Sequence, residues 1–218
     1  KQLAPHASGC DVTIIAPDGV IQQMSASMVV LTQSARATAE LVAPFAEALS
    51  YRVQQLPYAP VGIVHAALPE KSLPAHYRGF GFLAPPHPHR ALLGTIFSST
   101  VFDNRAPRGF ELLTCFSGGA ANAHAADVTQ PDVATRVLSD VQSILGIETR
   151  PRLLRATFHP QAIPNYPLGH HDLQGEIEAF HATQPRVRLL ANWISGLSVA
   201  DRIERAEAMA DRVVSELS

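Results

Sequence analysis

Short apolar runs separated by Gly, Pro and Asp recur along most of the chain. Such runs, at intervals of about ten residues, are typical of strands in a mixed or antiparallel sheet. They predict strands at residues 12–15, 20–21, 28–32, 61–68, 80–83, 92–97, 111–116, 153–158 and 187–193. Pro17-Asp18-Gly19 supplies the turn of an opening hairpin. The continuous apolar run at 28–32 predicts a strand buried on both faces.

Four other segments repeat apolar residues at the spacing of an α-helix. They are residues 34–49, 131–145, 172–181 and 199–217. We expect a break at Pro44 in the first, because proline removes a helical hydrogen bond. Ser198 followed by Asp201 resembles a capping box at the start of the last helix. The apolar stripe of that helix consists of Val199, Ile203, Ala206, Ala210, Val213 and Leu217.

These elements predict an α+β fold, in which helices cover a mixed or antiparallel sheet. A strand, a turn and a helix then end the chain. The 218 residues, of which 46% are hydrophobic and 17% charged, suit one large domain or two small ones and exclude a disordered chain. The net charge of −2 disfavours nucleic acid as a partner, because such binding depends on positive charge.

The cysteine count and the N-terminus bear on location. Cys10 and Cys115 are too few for a disulfide framework, so a reducing compartment is favoured, although a single bridge stays open. The chain opens at Lys1 without Met and without the pattern of a signal peptide. No apolar run reaches the roughly 20 residues that span a bilayer. We expect a cytoplasmic protein whose sequence lacks its start.

Histidines and cysteines are the first candidates for chemistry. The pairs His87–His89 and His170–His171 lack the i, i+4 spacing of a helical zinc site, so we predict exposed loop histidines and no metal. Cys115 lies in an apolar strand, which favours a packed side chain over a nucleophile. The sequence contains neither a Gly-x-Ser-x-Gly turn nor a glycine-rich phosphate loop.

The last strand and helix form a more specific candidate. Residues 189–193 run into Ile194-Ser195-Gly196 and then into the final helix. We call the segment Ile194-Ser195-Gly196 the terminal turn. The start of a helix offers free backbone N–H groups and a positive dipole end, which suit an anionic or carbonyl-bearing ligand. Small residues in the turn would let that ligand come close. A plain packing role for the turn stays open.

Six further runs follow one another along the chain: GFGFLAP (79–85), LGTIFSS (93–99), FDNRAP (102–107), LTCFSGG (113–119), AIPNY (162–166) followed by Gly169-His170, and LANW (190–193) followed by GLSVAD (196–201). In this order and spacing they resemble the oxygen-dependent protoporphyrinogen oxidases. The match extends from about residue 24 to the C-terminus.

The resemblance implies the C-terminal half of an FAD enzyme of haem synthesis with an amine-oxidase-like fold. The family's Gly-x-Gly-x-x-Gly dinucleotide motif has no counterpart here. The implied layout places the last part of the FAD-binding domain at 1–50, a substrate-binding domain at 51–170, and a return to the FAD-binding domain at 171–218. Peripheral contact with the cytoplasmic membrane would come from the half that this match does not cover.

Substrate contacts are implied for Gly81, Leu83, Ile96 and Phe116. The two aliphatic side chains align with residues that sandwich the tetrapyrrole, and Phe116 aligns with an aromatic that stacks on a pyrrole ring. A porphyrinogen is a mainly apolar ring with carboxylates at its rim, so apolar walls suit it. On residue type alone, core packing explains these side chains better. The substrate would be protoporphyrinogen IX, with coproporphyrinogen III as the alternative.

Cofactor contacts are implied for the turn before the last helix. Leu197, Ser198 and Val199 align with a segment whose backbone approaches the flavin, and Gly196 precedes them. Three departures from the family bear on these contacts. Ala191 replaces a usual Gly, His159 stands where many members have Trp near the cofactor, and Thr32-Gln33-Ser34 replaces a common small–Pro strand ending. The implied reaction passes hydride from the porphyrinogen to FAD and electrons on to O2, releasing H2O2. No side chain stands out as an acid or base.

Two other classes of function stay open. One is another flavin enzyme with the amine-oxidase fold, which would share the terminal turn but not the GFGFLAP and FDNRAP runs. The other is an inactive, truncated module that binds a tetrapyrrole or a partner. We also predict that the isolated chain does not retain FAD, because it lacks the dinucleotide motif.

Overall fold

The computed structural model describes residues 2–77 and 79–218. Its helices α1 to α6 are Ala35–Val42, Glu47–Gln54, Ser98–Val101, Pro131–Leu145, His170–Thr183 and Val199–Leu217. Its strands β1 to β10 are Gln2–His6, Gly9–Ile15, Ile21–Ala26, Val29–Leu31, Tyr58–Pro69, Gly81–Leu83, Leu92–Ile96, Phe110–Gly118, Arg152–Pro164 and Val187–Leu189. The predicted α+β class is confirmed.

The chain divides into two compact units. We call Tyr58–Ile163 the sheet unit, and the segments that end at Pro57 and begin at Pro164 together the terminal unit. Their assignment to a substrate-binding and an FAD-binding domain stays a prediction, as do the boundaries at 50/51 and 170/171.

The sheet unit is built on five strands in the order β6-β7-β8-β5-β9. The pairs β6–β7, β7–β8 and β5–β8 are antiparallel. One face packs against α4, and its core contains Val64, Leu113 and Cys115 from the strands. The carboxylate of Asp140 in α4 accepts the backbone N–H groups of residues 91 and 92 at 2.8 and 3.0 Å. This contact ties the helix to β7.

The terminal unit contains two small sheets. Strands β1, β2 and β3 form an antiparallel sheet, and β4 pairs in parallel with β10. Helix α1 ends at Val42 and α2 begins at Glu47, so the predicted break at Pro44 is confirmed. Trp193 is fully buried, and its indole N–H donates to the carbonyl oxygen of Gln33 at 3.0 Å.

Several predictions of local structure are wrong. The run at 28–32 forms only the three-residue strand β4, which is not buried on both faces, since Val30 is 36% exposed. The strand predicted at 187–193 ends at Leu189, several residues before the terminal turn. Strand β1 and the short helix α3 were not predicted, since neither has an alternating or helical apolar pattern.

The last helix has the predicted capping box but not a buried stripe. Ser198 Oγ accepts the N–H of Asp201 at 3.0 Å, and the Asp201 carboxylate accepts the N–H of Ser198 at 3.3 Å. No residue of α6 is buried. Val199 and Ile203 of the apolar stripe are 77% and 57% exposed.

Candidate functional site

Alternation along β8 divides the sheet into two faces. Leu113 and Cys115 face the core, whereas Thr114 and Phe116 lie on the opposite face, because successive strand residues point to opposite sides. Strand pairing extends this second face across the sheet. Phe116 pairs with Gly94 of β7, and Gly94 pairs with Leu83 of β6. We call this the open face of the sheet.

A cavity of about 550 Å³ lies on the open face. All four residues for which substrate contact was predicted line it: Gly81, Leu83, Ile96 and Phe116. The other lining residues are Val61, Phe80, Phe82, Leu93, Gly94, Thr95 and Ile163. None of the eleven side chains is charged. Leu83 is 88% exposed, so the cavity is open toward solvent. We call it the apolar cavity.

Two glycines allow β6 to approach β7 at the cavity wall. Gly81 has φ of 152°, and a Cβ there would overlap the carbonyl oxygen of Thr95. A Cβ at Gly94 would lie 2.7 Å from the carbonyl oxygen of Phe82 and 3.1 Å from the side chain of Leu83. Larger residues at either position would push the strands apart, since real Cβ atoms do not approach so closely.

A β-bulge adds a side chain that the sequence pattern missed. Between Leu92 and Gly94 the pairing with β8 shifts by one residue, so Leu93 is the extra residue. Bulges re-aim side chains, and Leu93 lines the apolar cavity. Val61 and Ile163 were also missed, because strand pairing brings them in from β5 and β9. Phe80 and Phe82 also line the cavity. Both lie in the GFGFLAP run, from which they could have been predicted.

The terminal turn is fixed by side chains that bind its carbonyl groups. The Ile194 carbonyl oxygen lies 2.9 Å from His170 Nε2 and accepts the amide of Gln174 at 3.2 Å. The guanidinium of Arg202 donates to the Ser195 carbonyl. Gly196 has φ of 68°, and a Cβ there would lie 2.8 Å from Asp201 Cβ. These hydrogen bonds hold the turn, and its backbone requires glycine at position 196.

The start of α6 suits an anionic or carbonyl group. The capping box uses the N–H groups of Ser198 and Asp201, and the N–H groups of Val199 and Ala200 have no acceptor within the helix. Leu197 and Ser198 are exposed, and Ala191 is buried. These features fit the backbone contacts that FAD would need there. His159 is exposed on β9 of the sheet unit.

A buried polar cluster lies between α5, β10 and α6. The side chain of His181 is 3% exposed, and its Nε2 accepts the N–H of Leu189 at 3.0 Å. The pKa of His181 is lowered to about 4, mainly by burial; the nearby charge of Glu178 opposes this shift and that of Arg188 adds to it. The Arg188 guanidinium also binds the Glu216 carboxylate of α6.

The structure corrects one expectation about the histidines. His170 is buried and bonded to the terminal turn, so it is not an exposed loop residue. Across residues 2–77 and 79–218, no three His, Cys, Asp or Glu side chains form a group that could hold a metal. Both cysteines are buried and free. Burial raises the pKa of the Cys115 thiol to about 12, which agrees with packing rather than nucleophilic chemistry.

No helix within residues 2–77 and 79–218 is long and apolar enough to cross a membrane.

Relatives of known name match most of the chain. Protoporphyrinogen oxidase 1 of Spinacia oleracea is 30% identical, with 95% of this chain and 39% of the relative covered. Coproporphyrinogen III oxidase of Bacillus subtilis is 23% identical, with 97% and 44% covered. The chain therefore spans about two fifths of the length of these curated relatives.

Solved structures show the same fold. A protein from Exiguobacterium sp. 255-15, provisionally assigned as a protoporphyrinogen oxidase, superposes with a TM-score of 0.77 at 20% identity. The alignment covers 100% of this chain and 46% of that protein. A putrescine oxidase bound to putrescine has a TM-score of 0.66 at 11% identity, with 99% and 48% covered.

The sequence profile of the flavin containing amine oxidoreductases matches residues 1–214. The match takes in both compact units and all ten residues of the predicted sites. The chain therefore belongs to the family of flavin containing amine oxidoreductases.

Proposed function

We propose that this chain is the C-terminal portion of an FAD-dependent protoporphyrinogen IX oxidase, which uses O2 and releases H2O2. One observation carries the proposal: four residues that were selected from three separate motifs line a single apolar cavity. Names of the relatives from Spinacia oleracea and Bacillus subtilis support a porphyrinogen as the substrate.

The chemistry of the apolar cavity suits a tetrapyrrole. Its volume of about 550 Å³ falls within the roughly 300–1,000 Å³ that is typical of ligand pockets. Phe116 would stack on a pyrrole ring, and Leu83 and Ile96 would bury aliphatic surface against the macrocycle. These side chains hold and orient the ring and exclude water from it, and none of them moves a proton.

The terminal turn would bind FAD through its backbone. The N–H groups at the start of α6 would donate to the flavin, and Gly196 would keep the turn tight. Ala191 is buried and stands where the family usually has Gly, so its side chain would narrow the approach of the flavin. When bound, FAD supplies the hydride acceptor for this oxidation. The role of His159 beside the cofactor stays a prediction, as do the cytoplasmic location and the peripheral contact with the cytoplasmic membrane.

The uncharged lining favours protoporphyrinogen IX over coproporphyrinogen III. Coproporphyrinogen carries four propionates around its rim, and protoporphyrinogen carries two. Each additional carboxylate that enters an uncharged cavity loses hydration without gaining a partner, which costs free energy. A cavity without a charged side chain therefore discriminates against the substrate with more carboxylates.

Porphyrin fluorescence in air tests the proposal. The intact protein, loaded with FAD, is given protoporphyrinogen IX and coproporphyrinogen III in parallel wells. We expect fluorescence to rise above the autoxidation blank in both wells, and faster with protoporphyrinogen IX. A faster coproporphyrinogen well would reverse the choice of substrate. No rise in either well, with flavin bound, would indicate another oxidoreductase of the same fold.

A further inference from the structure

Side chains hold two consecutive peptide units of the terminal turn by their carbonyl groups. The Ile194 carbonyl oxygen lies 2.9 Å from His170 Nε2 and accepts the side-chain amide of Gln174 at 3.2 Å. The Ser195 carbonyl oxygen accepts the guanidinium of Arg202. His170 and Gln174 belong to α5, and Arg202 belongs to α6. Two helices therefore fix the orientation of these peptide planes.

The N–H groups of the same two peptide units point the other way. In a trans peptide unit the C=O and N–H bonds have opposite directions. The N–H of Ser195 is therefore directed away from His170, and the N–H of Gly196 away from Arg202. Within residues 2–77 and 79–218, neither N–H donates a hydrogen bond. Successive free N–H groups beside a left-handed residue such as Gly196 form a concavity that suits anionic acceptors.

The imidazole of His170 is fixed both in place and in tautomer. A carbonyl oxygen only accepts hydrogen bonds, so Nε2 carries the proton that it donates to the Ile194 carbonyl. The residue is buried, and its ring stacks on Tyr166 with 4.2 Å between the centroids and 9° between the planes. Nδ1 is buried and has no hydrogen-bond partner in the described part of the chain. The bond to the turn is thus the single hydrogen bond of this ring there.

Packing alone does not account for a histidine at this position. A buried polar atom without a partner costs free energy, and Nδ1 is such an atom. A phenylalanine would stack on Tyr166 without that cost. The side chain that His170 offers and phenylalanine does not is a donor to the terminal turn, which points to control of the backbone orientation.

We propose that His170 is a positioning residue for FAD, which keeps the N–H of Ser195 directed toward acceptor atoms of the flavin. This inference rests on the proposed function. The flavin ring system carries carbonyl oxygens and unprotonated ring nitrogens, which accept hydrogen bonds from backbone N–H groups. Reduction adds negative charge to these acceptors, and N–H donors fixed in advance stabilise that charge. His170 therefore favours both the binding of FAD and its reduction.

Two measurements on the intact protein test the inference: the dissociation constant for FAD and the midpoint potential of the bound flavin. The variant His170→Phe keeps the stack on Tyr166 and removes the donor. We expect it to bind FAD about tenfold more weakly, the size of effect that one lost hydrogen bond gives, and to shift the potential to more negative values. His170→Gln, which retains a side-chain N–H donor, should restore both quantities toward the wild type.

The matched control is His171→Phe, the same substitution at the exposed neighbour in α5. It should leave both quantities unchanged. If His170→Phe does not fold, Gln174→Ala removes the second donor to the same carbonyl and should shift both quantities in the same direction by a smaller amount.

Three results would overturn the inference alone. They are wild-type values in the folded donor variants, weaker binding with an unchanged potential, which would make His170 a structural residue only, and an equal loss in His171→Phe. Absence of FAD from the intact wild-type protein would overturn the proposed function and the inference together.

Discussion

Cys115 and Phe116 are neighbours in the chain and face opposite environments. Cys115 is fully buried against α4, and Phe116 lines a cavity of about 550 Å³ on the other face. Because successive strand residues point to opposite sides, one side chain packs in the core and the next lines the cavity. Hydrophobicity alone does not separate the two roles, because both faces of the sheet are apolar.

The two faces of this sheet differ in what covers them: the core face packs in the interior, and the open face lines the cavity. The core face is closed by a 15-residue helix, whose side chains fill the space over the strands. The open face keeps its apolar residues partly exposed, and exposed apolar clusters of this kind mark binding surfaces. Changes on the two faces should therefore separate into effects on folding and effects on binding.

Thiol reactivity gives the largest expected contrast. The pKa of Cys115 is raised to about 12 by burial, so its thiolate fraction near neutral pH is about 1,000-fold below that of an exposed cysteine. Cys115 should not react with a thiol reagent in the folded chain, whereas Phe116→Cys should add one fast-reacting thiol. The count of reacted thiols against time checks this, with the unfolded chain as the reference. A fast reaction at Cys115, as distinct from Cys10 of the terminal unit, would contradict the closed core face.

Truncation should cost more stability on the core face. Leu113 is fully buried, so Leu113→Ala should lower the free energy of unfolding by about 2–5 kcal/mol through the lost burial and the cavity left behind. Phe116→Ala removes a half-buried side chain and should cost less. Urea denaturation followed by far-UV CD measures both. Equal losses would mean that the open face is packed as tightly as the core.

Unfolding at low pH tests whether a titratable group outside the five-stranded sheet, His181, also limits the free energy of unfolding. His181 of the terminal unit has a folded-state pKa of about 4, below the roughly 6.5 of the unfolded state. The unfolded chain therefore takes up the proton first, and stability falls by about 3 kcal/mol between pH 6.5 and 4. Around the imidazole, the charged groups are Glu178, Glu216, Arg188 and Arg212.

The matched variant is His181→Gln, which keeps an acceptor for the Leu189 N–H. Its free energy of unfolding should fall less between pH 6.5 and 4 than that of the wild type. The same decline in both proteins would assign the pH dependence to other groups.

Gly81→Ala should have the smallest effect on the whole fold and a local effect on the site. The added Cβ meets the carbonyl of Thr95, so β6 must move away from β7 at the cavity wall. We expect a loss of about 1–3 kcal/mol from overpacking and weaker porphyrin binding. Gly109→Ala is the control, since a Cβ there meets no atom within 4 Å although its φ of 85° is also positive. Unchanged porphyrin binding by Gly81→Ala would contradict the placement of this wall.

The sequence predicted most elements and four residues that line one cavity, but not how the strands are arranged. Alternating runs and helix caps identified β5, β8, α4 and α6, because these signals are local. Pairing between distant strands is not local, so the contributions of Val61 and Ile163 to the apolar cavity could not be found. The bulge at Leu93 was hidden for the same reason.

The resemblance selected Gly81, Leu83, Ile96 and Phe116, whereas residue type alone favoured core packing for them. What the pattern could not provide was the assignment of each side chain to a face. The exposed stripe of α6 is the converse case, since its helical spacing is correct but the described part of the chain leaves it unburied.

Titration with protoporphyrin IX of the neighbouring variants Phe116→Ala and Cys115→Ala tests the central claim most directly. The open face predicts that Phe116→Ala weakens binding about tenfold through lost stacking and burial. Cys115→Ala should bind as the wild type does at temperatures where it remains folded. Equal dissociation constants for all three proteins, or weaker binding in Cys115→Ala than in Phe116→Ala, would contradict the assignment of the tetrapyrrole to this face.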